Sequence, residues 1–274
     1  MFLCPICKNE LKRNNNSLVC EKRHSFDISA SGYVNLLNPG KMNNKKAGDS
    51  KEMIKARSDF FASCAYKGIS DKLCDIVSKI KNDIIVDAGA GEGYYTQNLA
   101  KAHTSSFVLG FDMSKYGCEH GAKVARREGT TNIGYCVGNI FDLPLKNEYC
   151  DVVTNLFAPV AGDEFLRILK KGGHLIVASA GINHLDGLKG ILYNEIYLNE
   201  EKFSPLDGFE LVDIVNLKYQ AQISGNDTIK NLFTMTPYYH RTCLKDKEKL
   251  EGVSEINTCI EVNFAIYKKK GMLQ

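Results

Sequence analysis

The chain reads as an α/β protein, a doubly wound parallel sheet behind a small metal-binding module, and three observations predict it. Beyond residue 83, short apolar runs alternate with stretches of helical spacing, the pattern of strands joined by crossover helices. The first of these runs closes on a glycine-rich turn, Asp87-Ala88-Gly89-Ala90-Gly91-Glu92-Gly93-Tyr94. Far upstream, Cys4, Cys7, Cys20 and His24 form a C-x2-C-x12-C-x3-H set.

Residues 1–37 are expected to form the metal module. Zinc favours thiolate and imidazole ligands in a tetrahedron, and two short ligand pairs joined by a longer loop supply that geometry. Four protein ligands leave no position for an activated water, so the Zn2+ is predicted to be structural. Residues 38–82 are expected as a linker and a helical segment. The stretch 38–50, rich in Asn, Gly and Lys, marks the linker. Helical spacing then begins at Lys51, with Met53, Ile54, Phe60 and Phe61, followed by Leu73, Ile76, Val77 and Ile80.

The main domain is expected to span 83–274. Ile84-Ile85-Val86 forms its first strand, and residues 94–102 the helix after the glycine turn. Residues 107–111 form the second strand, which ends at Asp112, and Ser114 can cap the next helix. Residues 133–137, 151–156 and 174–178 continue the sheet. A helix near 163–169 is expected to end at Gly172-Gly173. Runs at 210–217 and 256–267 are expected as strands added at one edge.

Composition bounds the rest. With 44% hydrophobic and 24% charged residues, the chain has the make-up of a folded soluble protein rather than a disordered one. No apolar run approaches a membrane span, and Pro5 and Lys8 interrupt any secretory core. Ten cysteines without an export signal imply reduced thiols and a cytoplasmic protein. Cys64, Cys74, Cys118, Cys136, Cys150, Cys243 and Cys259 lack ligand spacing and are expected as buried small apolar residues. Charge is distributed unevenly. Residues 1–57 hold 11 Lys and Arg against 5 Asp and Glu, while residues 58–274 hold 24 against 27. A basic module suits a polyanion, because phosphate contacts supply sequence-independent affinity.

The glycines at 89, 91 and 93 give G-x-G-x-G, and Tyr94 stands where a dinucleotide fingerprint needs its third glycine. Glu92 is also poorly placed for a pyrophosphate at a helix N-terminus. The loop resembles instead the first motif of S-adenosylmethionine-dependent methyltransferases, which implies a Rossmann-like class I methyltransferase fold. There an acidic residue, here Asp87, ends the first strand, and glycines let the backbone approach the cofactor. Asp112 is placed to accept the ribose hydroxyls. Asn139 stands where such enzymes often carry the Asp that accepts the adenine amino group, and its side-chain oxygen can take the same bond. Ile140 would pack on the ring.

A wider resemblance covers nearly the whole chain. The zinc set, His24-Ser25-Phe26-Asp27, Gly32-Tyr33-Val34-Asn35-Leu36-Leu37, Gly48-Asp49-Ser50, residues 53–57, the glycine loop with Tyr94-Tyr95-Thr96, and His184-Leu185 with Leu188-Lys189-Gly190 are similar to the bacterial 23S rRNA (guanine-N1)-methyltransferases. The resemblance implies that Cys4, Cys7, Cys20 and His24 bind zinc. It implies S-adenosyl-L-methionine contacts from Tyr66, Gly89, Gly91, Glu92, Gly93, Tyr94 and His184. From the residues alone, Tyr66 reads as a core aromatic and His184 as a satisfied loop histidine. The implied partner is a hairpin of 23S rRNA, with no membrane, and a homodimer is a further expectation. The family has two branches that modify neighbouring guanines, one of them tied to macrolide resistance.

Guanine N1 carries a proton at neutral pH, so a base must take it before or during methyl transfer. Asp186, Glu195 and Asp163 are the candidate acceptors, and nothing in the sequence selects among them. Phe157, after the fourth strand, can stack on a base withdrawn from its loop or pack in the core. The module can present Lys8, Lys12, Arg13, Lys22 and Arg23 to RNA phosphates, or it can pack on the catalytic domain and stabilise it. Two rival functions stand beside rRNA methylation. One is methyl transfer to a small molecule, and the other is non-catalytic rRNA binding or assembly.

Overall fold

The computed structural model describes residues 2–38, 40, 48–195, 198–200, 203 and 205–271. Most of the linker expected at 38–50 lies outside the described residues. Strands β1 (Lys12–Asn14), β2 (Ser17–Val19) and β3 (Ser25–Asp27) form a small antiparallel sheet that carries the cysteine and histidine loops. The helical segment then divides into α1 (Lys51–Phe61) and α2 (Lys67–Ser78). Ser50 caps α1 by accepting from the Met53 N–H, which satisfies one of the helix's orphan donors.

The main sheet is built from β4 (Val34–Asn35), β5 (Ile84–Ala88), β6 (Phe107–Asp112), β7 (Ile133–Val137), β8 (Cys150–Leu156), β9 (Leu169–Ala180), β10 (Phe209–Ser224) and β11 (Glu255–Lys269). Its order is β10-β11-β9-β8-β5-β6-β7-β4, parallel from β9 to β4 and antiparallel where β11 meets β9 and β10. The chain leaves β5 toward β6 on one side and returns to β8 on the other. A crevice therefore opens at the carboxyl end of β5, where doubly wound sheets bind ligands. The remaining helices are α3 (Tyr94–Ala102), α4 (Lys115–Glu128), α5 (Gly162–Ile168), α6 (Asp186–Leu192), α7 (Asn226–Thr234) and α8 (Leu244–Glu248). Ser114 caps α4 through the Gly117 N–H, as its position predicts.

Alternate residues of each central strand enter different cores, as the two-residue period requires. Ile85, Val108, Val152 and Ile176 face α1, α2, α3, α6 and α7. Val86, Leu109, Phe111, Val153 and Leu175 face α5 and the zinc module, whose Cys4, Leu11, Leu18, Cys20, Val34 and Leu36 are buried in the same core. The module thus covers part of one sheet face, where an α/β fold otherwise places a helix. Each large apolar side chain so buried contributes about 1.5–3 kcal/mol.

Three expectations are corrected. The helix near 163–169 ends at Ile168, and the chain turns at once into β9, so Gly172 and Gly173 lie in a strand. A Cβ on Gly173 would stand 2.9 Å from the Asp151 and Lys170 carbonyl oxygens, so Gly173 serves a close strand approach, while Gly172 supplies a left-handed residue at φ 72°. Cys64 and Cys243 are exposed, while Cys118, Cys136, Cys150 and Cys259 are buried and Cys74 is half-buried. The late strands are longer than their apolar runs, because β10 and β11 pair from Phe209↔Lys269 to Ser224↔Glu255.

Candidate cofactor crevice and zinc ribbon

The metal ligands converge. Cys4, Cys7, Cys20 and His24 place their ligand atoms within 4.8 Å of one another. The Cys7 and Cys20 sulfurs lie 3.6 Å apart, and His24 Nδ1 lies 3.4 Å from the sulfurs of both Cys4 and Cys20. A zinc tetrahedron has S–S and S–N edges of about 3.5–3.8 Å, so these spacings are those of a ligand shell, and Nδ1 is the imidazole ligand. Lys8 and Arg23, each next to a ligand loop, adopt left-handed backbone at φ 59° and 63°. Their N–H groups donate to the Cys4 and Cys20 carbonyls at 2.8 Å, which folds the chain around the sulfurs. Lys12, Arg13, Lys22 and Arg23 are exposed, whereas Lys8 is paired with Asp142 at 2.6 Å.

The crevice is built on the glycine loop. Gly89, Gly91 and Gly93 all have positive φ, at 90°, 58° and 92°. A Cβ on Gly89 would come within 2.7 Å of Ala158, and one on Gly93 within 2.4 Å of the Tyr135 hydroxyl. Only glycine meets both conditions at these positions. Asp87 does not point into the crevice. Its two carboxylate oxygens accept from Thr96 at 2.6 Å and Thr154 at 2.8 Å, and burial raises its pKa. It locks α3 and β8 to the end of β5. Asp112 accepts from the Gly91 N–H at 2.9 Å and the Ser114 N–H at 2.7 Å, one on each oxygen. Each oxygen keeps a lone pair for a diol.

Asn139 and Ile140 follow β7. The Asn139 oxygen accepts from the Phe141 N–H at 3.0 Å and retains a second lone pair. Ile140 is buried and Phe141 is exposed. Glu92 is buried beside Arg57 of α1, 3.5 Å away, and Arg57 also pairs with Asp49 at 2.8 Å. Burial pushes the Glu92 carboxyl up to about 7 despite the Arg57 charge. Tyr94 stacks on Phe61 with ring centroids 4.1 Å apart, which lays α1 over the start of α3.

Tyr66 and His184 meet although sequence reasoning alone separates them. The Tyr66 hydroxyl lies 3.0 Å from His184 Nε2, and the Glu261 N–H donates to Nδ1 at 3.2 Å. An imidazole that accepts at Nδ1 carries its proton on Nε2, so His184 donates to the Tyr66 oxygen. The Tyr66 O–H proton is then left for another acceptor. Burial lowers the His184 pKa to about 4, so the neutral ring is the working form. Across from it, Phe157 is 46% exposed and nearly parallel to the His184 ring at 6.1 Å. Phe157 also holds a left-handed backbone at φ 54°, a conformation that costs about 1 kcal/mol and concentrates at functional sites. Asn155 fixes that turn by donating to the Ala88 and Pro159 carbonyls, and its own oxygen is buried without a partner.

The three proton-acceptor candidates occupy unrelated places. Asp186 accepts from the Gly187 and Cys259 N–H groups and ties α6 to β11. Asp163 is exposed in the first turn of α5, and Glu195 is exposed beyond α6. Arg57, Asn155, Thr96, Thr154 and Glu261 were not identified from sequence as site residues. Their roles arise from contacts between distant segments, which spacing along the chain does not carry.

A glycine cradle, a carboxylate with a lone pair open on each oxygen and an orphaned buried oxygen at the switch point fit S-adenosyl-L-methionine, and the fold is that of the class I methyltransferases. Residues 79–233 match the family described as "Methyltransferase domain", and residues 2–46 match "RlmA, N-terminal", a zinc ribbon. The chain belongs to this methyltransferase-domain family, and it carries in addition a segment that matches the ribbon. It is 30% identical over 187 residues to a 23S rRNA (guanine(748)-N(1))-methyltransferase of Streptomyces fradiae, covering 66% of this chain and 64% of that protein. It is 32% identical over 202 residues to a protein of Micromonospora griseorubida provisionally assigned as a 23S rRNA (guanine-N(1)-)-methyltransferase, covering 66% of each. The chain thus matches just under two thirds of the length of these relatives. The crystal structure of YcgJ from Bacillus subtilis shares the fold, with a TM-score of 0.50 at 15% identity over 74% of this chain and 98% of that one. Among the described residues, no helix is long and apolar enough to cross a membrane.

Proposed function

We propose that the protein transfers the methyl group of S-adenosyl-L-methionine to N1 of a guanine in a hairpin of 23S rRNA, in the cytoplasm. One observation carries the reading. A methyl-donor crevice and a zinc ribbon of the RlmA type share one hydrophobic core, and two relatives about 30% identical to the chain bear rRNA guanine-N1 names. S-adenosyl-L-methionine supplies an electrophilic methyl on a sulfonium.

The chain's own residues supply orientation. Asp112 and Asn139 offer acceptors for ribose and adenine, while Tyr66, locked by His184, offers a hydroxyl donor. Phe157 stands proud of the strand edge, where an exposed ring can stack on a guanine drawn out of its loop. Such stacking aligns N1 with the methyl group and lowers the entropic part of the barrier. Exposed Lys12, Arg13, Lys22 and Arg23 suit the phosphates of the hairpin stem. The division at 37 and 82 is read as a functional one, with recognition in the ribbon and the methyl-donor site formed from 83 onward together with Tyr66 of the intervening segment. A homodimer is supported by β10, a long edge strand that exposes Leu211, Val212 and Ile214.

Primer extension on 23S rRNA from cells with and without the protein tests the proposal. A stop at one guanine of the hairpin should disappear on deletion. An unchanged pattern of stops contradicts rRNA methylation and favours a small-molecule acceptor.

A further inference from the structure

The ribbon touches the crevice as well as the solvent. Phe2 sets its ring edge-on against Phe111, with centroids 6.3 Å apart and planes at 82°. The Phe111 carbonyl accepts the N–H groups of both Gly89 and Ala90, at 2.8 and 2.9 Å, and so sets the start of the glycine loop. The next ribbon residue, Leu3, donates its N–H to the Pro144 carbonyl at 2.8 Å, and Phe2 bridges to Leu145. Lys8 reaches Asp142 at 2.6 Å, and Glu10 reaches Lys146 at 2.9 Å. These partners lie in the loop that carries Asn139 and Ile140.

On the ribbon side, each contact is tied to the metal ligands. Leu3 adjoins Cys4, and Lys8 adjoins Cys7. The Cys4 N–H donates to the Asn9 carbonyl, the Leu11 N–H to that of Phe2, and the Lys8 N–H to that of Cys4. A ribbon this small has little core of its own, and zinc ribbons generally unfold when the metal leaves. The ribbon is thus a metal-dependent element pressed against the end of β6 and the loop after β7, and an element whose folding both sites can bias is the physical requirement for coupling between them.

We infer that the zinc ribbon is a strut of the cofactor crevice, so that zinc binding and cofactor binding strengthen one another. The inference rests on the reading of residues 89–93, 112 and 139–140 as the cofactor site. It assigns the ribbon a role in addition to RNA contact. The exposed cations face outward, while Phe2, Leu3 and Lys8 brace the chain that holds adenine and ribose.

Reciprocity gives the test two arms, because any factor by which zinc raises cofactor affinity must equal the factor by which cofactor raises zinc affinity. The probe is S-adenosylhomocysteine, measured by calorimetry on the full-length, zinc-loaded protein. Phe2→Ala, with its fold checked by circular dichroism and its zinc content measured, should bind the probe about fivefold more weakly. Lys8→Ala loses only a partly exposed ion pair and should weaken it about twofold. Competition with a chelator should show tighter zinc binding when the probe is saturating. Wild-type binding that Phe2→Ala leaves unchanged, together with a zinc affinity indifferent to the probe, overturns the coupling alone. A zinc-loaded wild type that does not bind the probe overturns the cofactor reading, and the coupling with it.

Discussion

The hydroxyl of Tyr66 lies 3.0 Å from Nε2 of His184, across 118 residues of chain, and the Glu261 N–H on Nδ1 fixes which partner donates. That relay converts two residues of ordinary appearance into one oriented hydroxyl donor beside the crevice. Tyr66→Phe removes the donor and keeps the ring packed on Phe60 and Phe61. It should weaken S-adenosylhomocysteine binding about tenfold, the usual worth of one ligand hydrogen bond. Thermal stability should fall by a few degrees, because the buried His184 Nε2–H loses its acceptor. Calorimetric titration of the variant checks this, and unaltered affinity would remove Tyr66 from the cofactor site.

The same relay predicts a pH dependence. Burial holds the folded-state pKa of His184 at about 4, below its ordinary value of 6.5. A depressed histidine contributes stability that is complete above 6.5 and is lost as pH falls through 4. Protonation also converts Nδ1 from acceptor to donor, facing the Glu261 N–H. Cofactor affinity should therefore be level from neutrality down to about pH 5 and fall below it. In His184→Asn that acid limb should disappear. A limb centred near 6.5 in the wild type would show an unburied ring.

Glu92 shifts the other way. Its carboxyl is raised from 4.5 to about 7 by burial, so the folded chain holds that proton more tightly than the unfolded one. The stability it contributes is complete below 4.5 and lost as pH rises through 7. Glu92→Gln, neutral throughout, should match the wild type in melts at pH 4.5 and exceed it by roughly 5 °C at pH 8. A difference in Tm that does not vary with pH would mean that Arg57 keeps Glu92 ionised.

Phe157 separates substrate binding from cofactor binding. Stacking of one base on an aromatic ring is worth about 1–3 kcal/mol. Phe157→Ala should lower kcat/KM for the rRNA hairpin roughly tenfold or more, with cofactor affinity unchanged. Alanine keeps the Cβ and with it the left-handed backbone cost, and the ring it removes is 46% exposed, so stability should change little. Equal kinetic constants for variant and wild type would return Phe157 to a packing role.

The fold was legible in this sequence because its signals are local. Apolar runs, the turn at Gly89–Gly93, the Ser114 cap and the cysteine spacing each act over a few residues. Other features lay outside such signals. Val34 and Asn35 join the main sheet beside β7, and nothing in a two-residue strand distinguishes it from loop. The short helices α6, α7 and α8 are set by tertiary packing more than by pattern. Gly172 and Gly173 look like a helix stop but sit in a strand, where Gly172 turns left-handed and Gly173 lies close to the Asp151 carbonyl. In the site, the glycines and the Asp112 position were readable from spacing. Asp87 was readable as an acidic strand end, but its engagement by Thr96 and Thr154 was not. The Arg57–Glu92 pair, the Glu261–His184–Tyr66 relay and the strained Phe157 depend on chain segments that only folding brings together.

Transfer of isotope-labelled methyl from S-adenosyl-L-methionine to the isolated 23S rRNA hairpin tests the central claim most directly. With the zinc-loaded protein, nuclease digests should contain labelled N1-methylguanosine at a single position, and none when that guanine is replaced by adenine. No label in the hairpin, or label in a base other than guanine, would contradict the assignment.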